Sequence, residues 1–298
     1  MGLLLSRLKQ LELGHGPNCS TDSAYQNSPE KYQKTSIKFP DLEEIPTELS
    51  LKILKCLNAT DLCLAACVWS SLANDDTLWQ GLCKSTWGYL SIYEKAQESG
   101  KNFRRIFMLM DEATLTFNVD WKKGLEYLFE KDLLENNPME IAKFINSTQK
   151  LSSEQKKKLF SENKQVLENL IIMHNFENQF LPTALRKLFS KLEAHSERTS
   201  NLAFLLEKFS KRFCSCNPKL GLNEDSVYIL CFSLIILSVD LSNPAIKNKM
   251  SKREFIKNTR NALPDLNQDF TGHLYDNVYL NGSIAKFQRK DENLVSIR

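Results

Sequence analysis

Five prolines divide the stretch from about residue 107 to 280 of this chain. Pro138, Pro182, Pro218, Pro244 and Pro264 fall between segments whose apolar residues recur every three to four positions. Proline inside a helix removes a hydrogen bond and clashes with the preceding turn, so runs separated in this way read as successive helices. The runs cover about 122–132, 139–147, 153–161, 164–175, 180–194, 199–214, 223–238 and 251–261. Leu202, Leu205, Leu206, Phe209 and Phe213 form one obvious buried stripe, and strand-like alternation is absent. The expected fold class is all-α.

The first half carries a denser pattern over residues 39–88. Pro46 suits the first turn of a helix, where its missing N–H has no partner to lose, and Glu48 sits where the helix dipole favours a carboxylate. Leu49, Ile53, Leu54 and Leu57 recur on one helical stripe. Asn58 to Asp61 supplies a stop, then Thr60 or Asp61 as the cap of a helix reaching about Ala73. Trp69, Trp79 and Trp87 are a heavy aromatic load for so short a stretch. This order of apolar residue, Pro, x, Glu, Leu, helical apolar positions, Val68-Trp69 and Leu78-Trp79 resembles the F-box. The resemblance implies a short three-helix unit that docks on the Skp-type linker of cullin ubiquitin ligases (SCF complexes). Its linker-binding face would comprise Ile45, Pro46, Leu49, Ile53, Leu57, Leu62 and Trp79.

Composition narrows the remainder. With 298 residues and 42% hydrophobic content the chain can build one to three domains. Its 39 basic and 36 acidic residues nearly balance, so no nucleic-acid partner is implied. Eight cysteines lie mostly in apolar helical context without metal-type spacing, as expected of buried free thiols in a reducing compartment, with no metal site. His15, His174, His195 and His273 have no cysteine partners nearby in sequence. Gly-rich phosphate loops, a nucleophile elbow and HExxH are all missing, and no cofactor is implied. The longest apolar run, 227–241, falls short of a membrane span, and residues 1–13 are too broken by charge for a secretory signal. Met1-Gly2-x-x-x-Ser6 fits the N-myristoylation pattern, which makes Gly2 a lipidation candidate; the alternative is an ordinary leader. One such chain anchors only marginally, so the expected location is cytoplasmic or weakly peripheral to a membrane. Residues 1–37 read as a disordered tail, 38–90 as the F-box, 91–111 as a linker or bridging helix, and 286–298 as a frayed tail.

Residues 112–285 carry a second resemblance. Phe117-Asn118, Lys123-Gly124-Leu125 and Ile141-Ala-x-Phe144 are one part of it. Ala184-Leu-Arg186 and Phe209-x-x-Arg212-Phe-Cys-x-Cys-Asn217-Pro218 are a second. The third runs from Val227-Tyr228 through Phe232 and Leu237 to Asp240-Leu241-x-Asn243-Pro244, then Lys249-Met250 and Glu254-Phe255-Ile256. Together they resemble the Sec7 domain, which promotes nucleotide exchange on Arf-type small GTPases. The resemblance implies an elongated multi-helix domain with a GTPase groove offering Tyr228, Phe232, Ile235 and Ile236, with Asp240 and Asn243 at its exit. It also implies a carboxylate finger that repels the β-phosphate and disrupts the magnesium site. Counting from Ala184 places that finger at Glu197, whereas counting back from Phe209 reaches Arg198. The loop before it, 192–196, lacks the family's Pro-Gly, and Ser238 replaces an Asn of the family pattern. Lys156 to Lys158 otherwise form a solvated helix face. The first functional reading is an SCF substrate receptor, a non-catalytic ligase subunit, that holds an Arf-family GTPase for ubiquitination. The alternatives are a guanine-nucleotide exchange factor acting through Glu197 and a scaffold that binds the GTPase without consequence.

Overall fold

The computed structural model describes residues 41–192 and 200–284. Every regular element among them is helical. The first group is α1 (Thr47–Leu54), α2 (Ala59–Ala65), α3 (Ser70–Ala73), α4 (Asp76–Trp87) and α5 (Ser91–Ser99). Then come α6 (Phe103–Val119), α7 (Trp121–Glu130), α8 (Pro138–Ser147), α9 (Ser153–Glu162) and α10 (Lys164–Met173). The last are α11 (Leu181–Leu192), α12 (Ser200–Cys216), α13 (Glu224–Ser242), α14 (Lys252–Ala262) and α15 (Gln268–Asn281).

Short polar side chains start most of these helices by accepting a hydrogen bond from an otherwise unpaired first-turn N–H. Asn58, rather than Thr60 or Asp61, caps α2 by accepting from the Asp61 N–H. The helix expected from Asp61 to Ala73 is two: α2 ends at Ala65, and Trp69 leaves helical geometry at φ −116°, ψ 67° before α3 begins. Pro46 stands one position ahead of α1 rather than inside it. Pro138 opens α8 and Pro182 lies in the first turn of α11, both places where proline costs no helical hydrogen bond.

Residues 91–111 form α5 and the first half of α6, and they bury Ile92, Ala96, Phe103 and Ile106. Around them a seam closes between α4 and the later helices. The rings of Trp79 and Trp87 pack against Phe107 at centroid distances of 5.6 and 5.1 Å. The Trp87 Nε1–H donates to Thr148 Oγ1 at 3.0 Å, wholly out of water. Asp76 Oδ1 accepts from the Phe103 N–H at the start of α6 (2.9 Å), and Glu140 Oε2 accepts from the Ser91 N–H at the start of α5 (3.1 Å). Each side of the seam thus caps a helix of the other. The Lys95–Glu135 pair adds little, since both side chains are about half exposed.

Glu140 is buried, which pushes its carboxyl up. The Lys143 ammonium 2.7 Å away and the Ser91 N–H outweigh that and hold it below the usual carboxylate value. Cys83, which donates weakly to the Phe103 carbonyl, is pushed up to about 12 by burial and by Asp76. Not all the thiols are buried as expected: Cys83 and Cys231 are, but Cys56 and Cys67 are exposed and Cys63, Cys214 and Cys216 are partly covered. Helical periodicity does not specify which face a small thiol occupies.

α13 packs against α11, α12, α14 and α15. At 19 residues it exceeds the 227–241 run and, by length and composition alone, is long and apolar enough to cross a membrane. A helix that is apolar on nearly all sides is equally the signature of a bundle's central helix.

Two outcomes follow from this packing. α6 and α7 approach so closely at Gly124 that a Cβ there would stand 2.5 Å from the Phe117 Cα. Gly124→Ala forces the pair apart and should lower stability by about 1–3 kcal/mol in denaturant unfolding. Glu140 has a depressed folded-state pKa, so its stabilisation is complete above the ordinary glutamate range and is lost as pH falls through the folded value. The acid arm of the stability-versus-pH curve should therefore flatten in Glu140→Gln.

Candidate functional site

Two surfaces keep large apolar side chains in water. The first belongs to α1 and α2. Leu49 and Ile53, one turn apart, are 53% and 50% exposed, and Leu64 and Val68 are exposed beside the turn that follows. Pro46 is exposed, while Ile45 and Leu57 are partly covered. Leu62 and Trp79, expected on this face, lie instead in the core. The Trp79 Nε1–H is spent on the Ala73 carbonyl at 3.0 Å, so its ring supports the face from beneath. Leu64 and Val68 were not singled out from the sequence, although Val68 stands in the quoted Val-Trp pair.

The second surface is one edge of α13. At 100° per residue, Asp225, Ile229, Phe232, Ile236, Val239 and Asn243 lie on a single line along the helix. Phe232 and Ile236 are 48% and 46% exposed, with Ile229, Val239 and Tyr228 partly covered beside them. Ile235, expected in the groove, is only 5% exposed because its position turns it back into the bundle with Leu234. Ile229 and Val239 complete the strip, and the same periodicity applied from Phe232 in both directions would have found them.

The exit of this strip is tied down. Asp240 Oδ2 accepts from the Met250 N–H at 2.7 Å, and Asn243 Oδ1 accepts from the Ala245 N–H at 3.1 Å. The Lys249 ammonium donates to the Asp240 carbonyl at 2.6 Å and to the Asn243 carbonyl. It thereby places a cation on the negative end of the α13 dipole. Asp240 and Asn243 thus shape the loop 243–250 that borders the strip.

Other residues that carried the resemblance are structural fastenings. Arg186 donates to Asn277 Oδ1 (2.6 Å), the Asn277 carbonyl (3.2 Å) and the Gly282 carbonyl (2.8 Å), binding α11 to the end of α15. Asn217 accepts from the Asn178 N–H and donates to the Phe176 and Phe213 carbonyls. Ser238 is buried, where its hydroxyl lies 2.8 Å from Ser283 Oγ and accepts from the Ile284 N–H at 2.9 Å. The hydroxyl at this position thus holds two neighbouring polar groups. The Lys156 to Lys158 face is solvated in part: Lys156 is buried and Lys157 partly covered, while Lys158 is exposed and pairs with Glu154 at 2.8 Å. Glu197, Arg198 and Gly2 lie outside the described residues, as do the expected tails at 1–37 and 286–298.

Comparison with known proteins matches residues 107–282 to the Sec7 domain family and residues 42–85 to the F-box-like family. F-box only protein 8 of Mus musculus is 54% identical over 251 residues, which is 83% of this chain and 79% of that protein. Brefeldin A-inhibited guanine nucleotide-exchange protein 1 of Rattus norvegicus is 30% identical over 178 residues, 57% of this chain and 10% of its own length. Among solved structures, the Sec7p catalytic domain aligns with a TM-score of 0.53 at 27% identity, over 58% of this chain and 94% of that one.

The fastening at the strip's exit is testable by itself. Lys249→Met removes a charged donor from two carbonyls and should cost about 1.5–3 kcal/mol in denaturant unfolding. Amide hydrogen exchange should rise across 243–250 before it rises elsewhere. An unchanged exchange pattern would mean that the loop is held by Asp240 and Asn243 alone.

Proposed function

The chain belongs to the family of F-box proteins that carry a Sec7 domain, and on that premise we propose that it is a substrate receptor of a cullin-type ubiquitin ligase whose Sec7 domain captures an Arf-family small GTPase. The observation that carries this reading is the open α13 strip. Phe232 and Ile236 remain in water on a helix whose opposite faces are buried in the bundle, and Asp240, Asn243 and Lys249 pre-shape the loop at its exit. An apolar strip with a polar rim is the anatomy of a protein-capturing groove. Within the same compact unit, Leu49, Ile53, Leu64 and Val68 are exposed apolar side chains suited to the Skp-type linker.

Nucleotide exchange on the same GTPase is the alternative, supported by the relative named as a nucleotide-exchange protein. It requires an effective carboxylate at Glu197, where the sequence sets Arg198 alongside and lacks the Pro-Gly that shapes the family's loop. A neighbouring cation offsets the repulsion on which the finger relies.

The two readings part in one set of measurements. Phe232→Ala and Ile236→Ala, both half-exposed, should leave the fold intact and weaken GTPase binding by about 2–4 kcal/mol, roughly 30- to 1000-fold. Glu197→Lys should leave binding in place, and the intact protein should release GDP from Arf-type GTPases little faster than the spontaneous rate. Acceleration by orders of magnitude that Glu197→Lys destroys would establish the exchange factor instead. On the F-box, Leu49→Asp places an unpaired charge in an apolar contact and should abolish co-purification of the linker without unfolding the chain. Undiminished co-purification would show that this face has another use.

A further inference from the structure

The charges of this chain nearly balance, but they are not evenly spread. Six of its 39 basic residues and only one of its 36 acidic ones fall within 247–260, and outside that stretch acidic side chains outnumber basic ones. The structure sorts these six by use. The Lys249 ammonium is spent on the Asp240 and Asn243 carbonyls, and Lys252 pairs with Asp276 at 2.6 Å. Lys247, Arg253, Lys257 and Arg260 are exposed and make no ion pair among the described residues. Arg253, Lys257 and Arg260 stand at i, i+4 and i+7 of α14 and form one line along it, while Phe255 and Thr259 on its other side are buried. The single acidic side chain, Glu254, is drawn to the helix start, where it closes a capping box with Ser251.

An apolar edge borders this helix. Tyr275 of α15 packs on Phe255 at a centroid distance of 6.0 Å and donates its hydroxyl to the Met250 carbonyl at 2.9 Å. Tyr279 stacks on Tyr275 at 6.1 Å, and Tyr279 and Leu280 are 66% and 77% exposed. An aromatic ring and an aliphatic side chain thus stand in water near the start of a basic helix. Lysine and arginine attract anionic headgroups, and tyrosine suits the boundary where its ring meets hydrocarbon and its hydroxyl meets water. An acidic protein surface would answer the charge alone; Tyr279 and Leu280 beside it select a bilayer.

We propose that α14 and the end of α15 form a docking surface for an anionic membrane, with Arg253, Lys257 and Arg260 against the headgroups and Tyr279 and Leu280 in the interfacial layer. This surface needs neither a lipid on Gly2 nor the receptor reading. Because α14 follows the loop 243–250 at the exit of the α13 strip, a protein seated on that strip is held close to the bilayer.

The test is sedimentation of the full chain, prepared without a lipid on Gly2, with vesicles of phosphatidylcholine alone or of phosphatidylcholine with phosphatidylserine. Binding is expected only to the second kind. It should weaken as salt is raised, since exposed charges are screened beyond about 8 Å at physiological ionic strength. Each basic residue near an anionic surface contributes about fivefold in affinity. Arg253→Glu, Lys257→Glu and Arg260→Glu together should therefore lower binding by more than about a hundredfold. Tyr279→Ser with Leu280→Ser should lower it about tenfold without altering its salt dependence. Circular dichroism and thermal unfolding establish that each variant is folded; if the triple variant is not, Lys257→Glu alone takes its place, with an expected loss of about tenfold or more. Equal binding to both kinds of vesicle, or undiminished binding by the charge-reversed variants, overturns the proposal. Absence of binding to either kind overturns it too, and leaves the basic line to an acidic protein surface. Undiminished binding by the Tyr279→Ser, Leu280→Ser variant removes α15 from the surface and with it the reason for preferring a bilayer.

Discussion

The Sec7 half of this molecule is organised by the need to enclose α13. A 19-residue helix with apolar side chains on almost every side cannot stand at a surface, and α11, α12, α14 and α15 close around it. Val227, Leu230, Leu234 and Leu237 are completely buried, and even the one polar side chain on the inner faces, Ser238, is used to bind the chain beyond α15. The enclosure stops at one edge. Leaving Phe232 and Ile236 half exposed forfeits burial worth about 25 cal/mol per Å² of apolar surface, and such an omission points to a binding surface when it is contiguous and bordered by fixed polar groups.

The F-box half is governed by its aromatic residues. Of its tryptophans, Trp79 and Trp87 are spent on the core and satisfy their indole N–H groups on the Ala73 carbonyl and the Thr148 hydroxyl. The large apolar side chains that α1, α2 and the turn after them leave exposed are aliphatic, while Trp69 is partly covered and Tyr89, after α4, is exposed. This division explains why a short unit with few helical turns can both hold its shape and offer an apolar contact. The rings of Trp79 and Trp87 are anchored against Phe107 of α6, and the exposed surface of α1 and α2 is aliphatic.

Much of this was legible in the sequence. Proline placement and helical periodicity gave the fold class, because helix boundaries are set locally by caps and by residues that cannot continue a helix. The F-box and Sec7 resemblances likewise pointed to Leu49, Ile53, Phe232 and Ile236 as contact residues, and all four stand exposed. Three things were not legible. Leu62 and Trp79 carry the right pattern for a binding face, yet burial depends on which neighbour arrives, and at Trp79 that neighbour is Phe107 of α6. Ile235 sits only three positions from Phe232, and its inward turn depends on where α13 meets the bundle. The fate of Ser238 was also hidden, since its partners Ser283 and Ile284 lie about 45 residues on and no local signal links them.

The clasp of Arg186 on Gly282 spans 96 residues of chain. At ribosomal speeds of about 5–20 residues per second, that separation takes about 5–20 s to synthesise. Throughout the interval α11 has emerged without the anchor for its guanidinium, and for part of it α13 stands unclad. The F-box seam closes early, since its most distant tie joins residues 61 apart. Biogenesis therefore has two tempos: a front portion that can assemble while translation continues, and a rear bundle whose most apolar helix waits for α15.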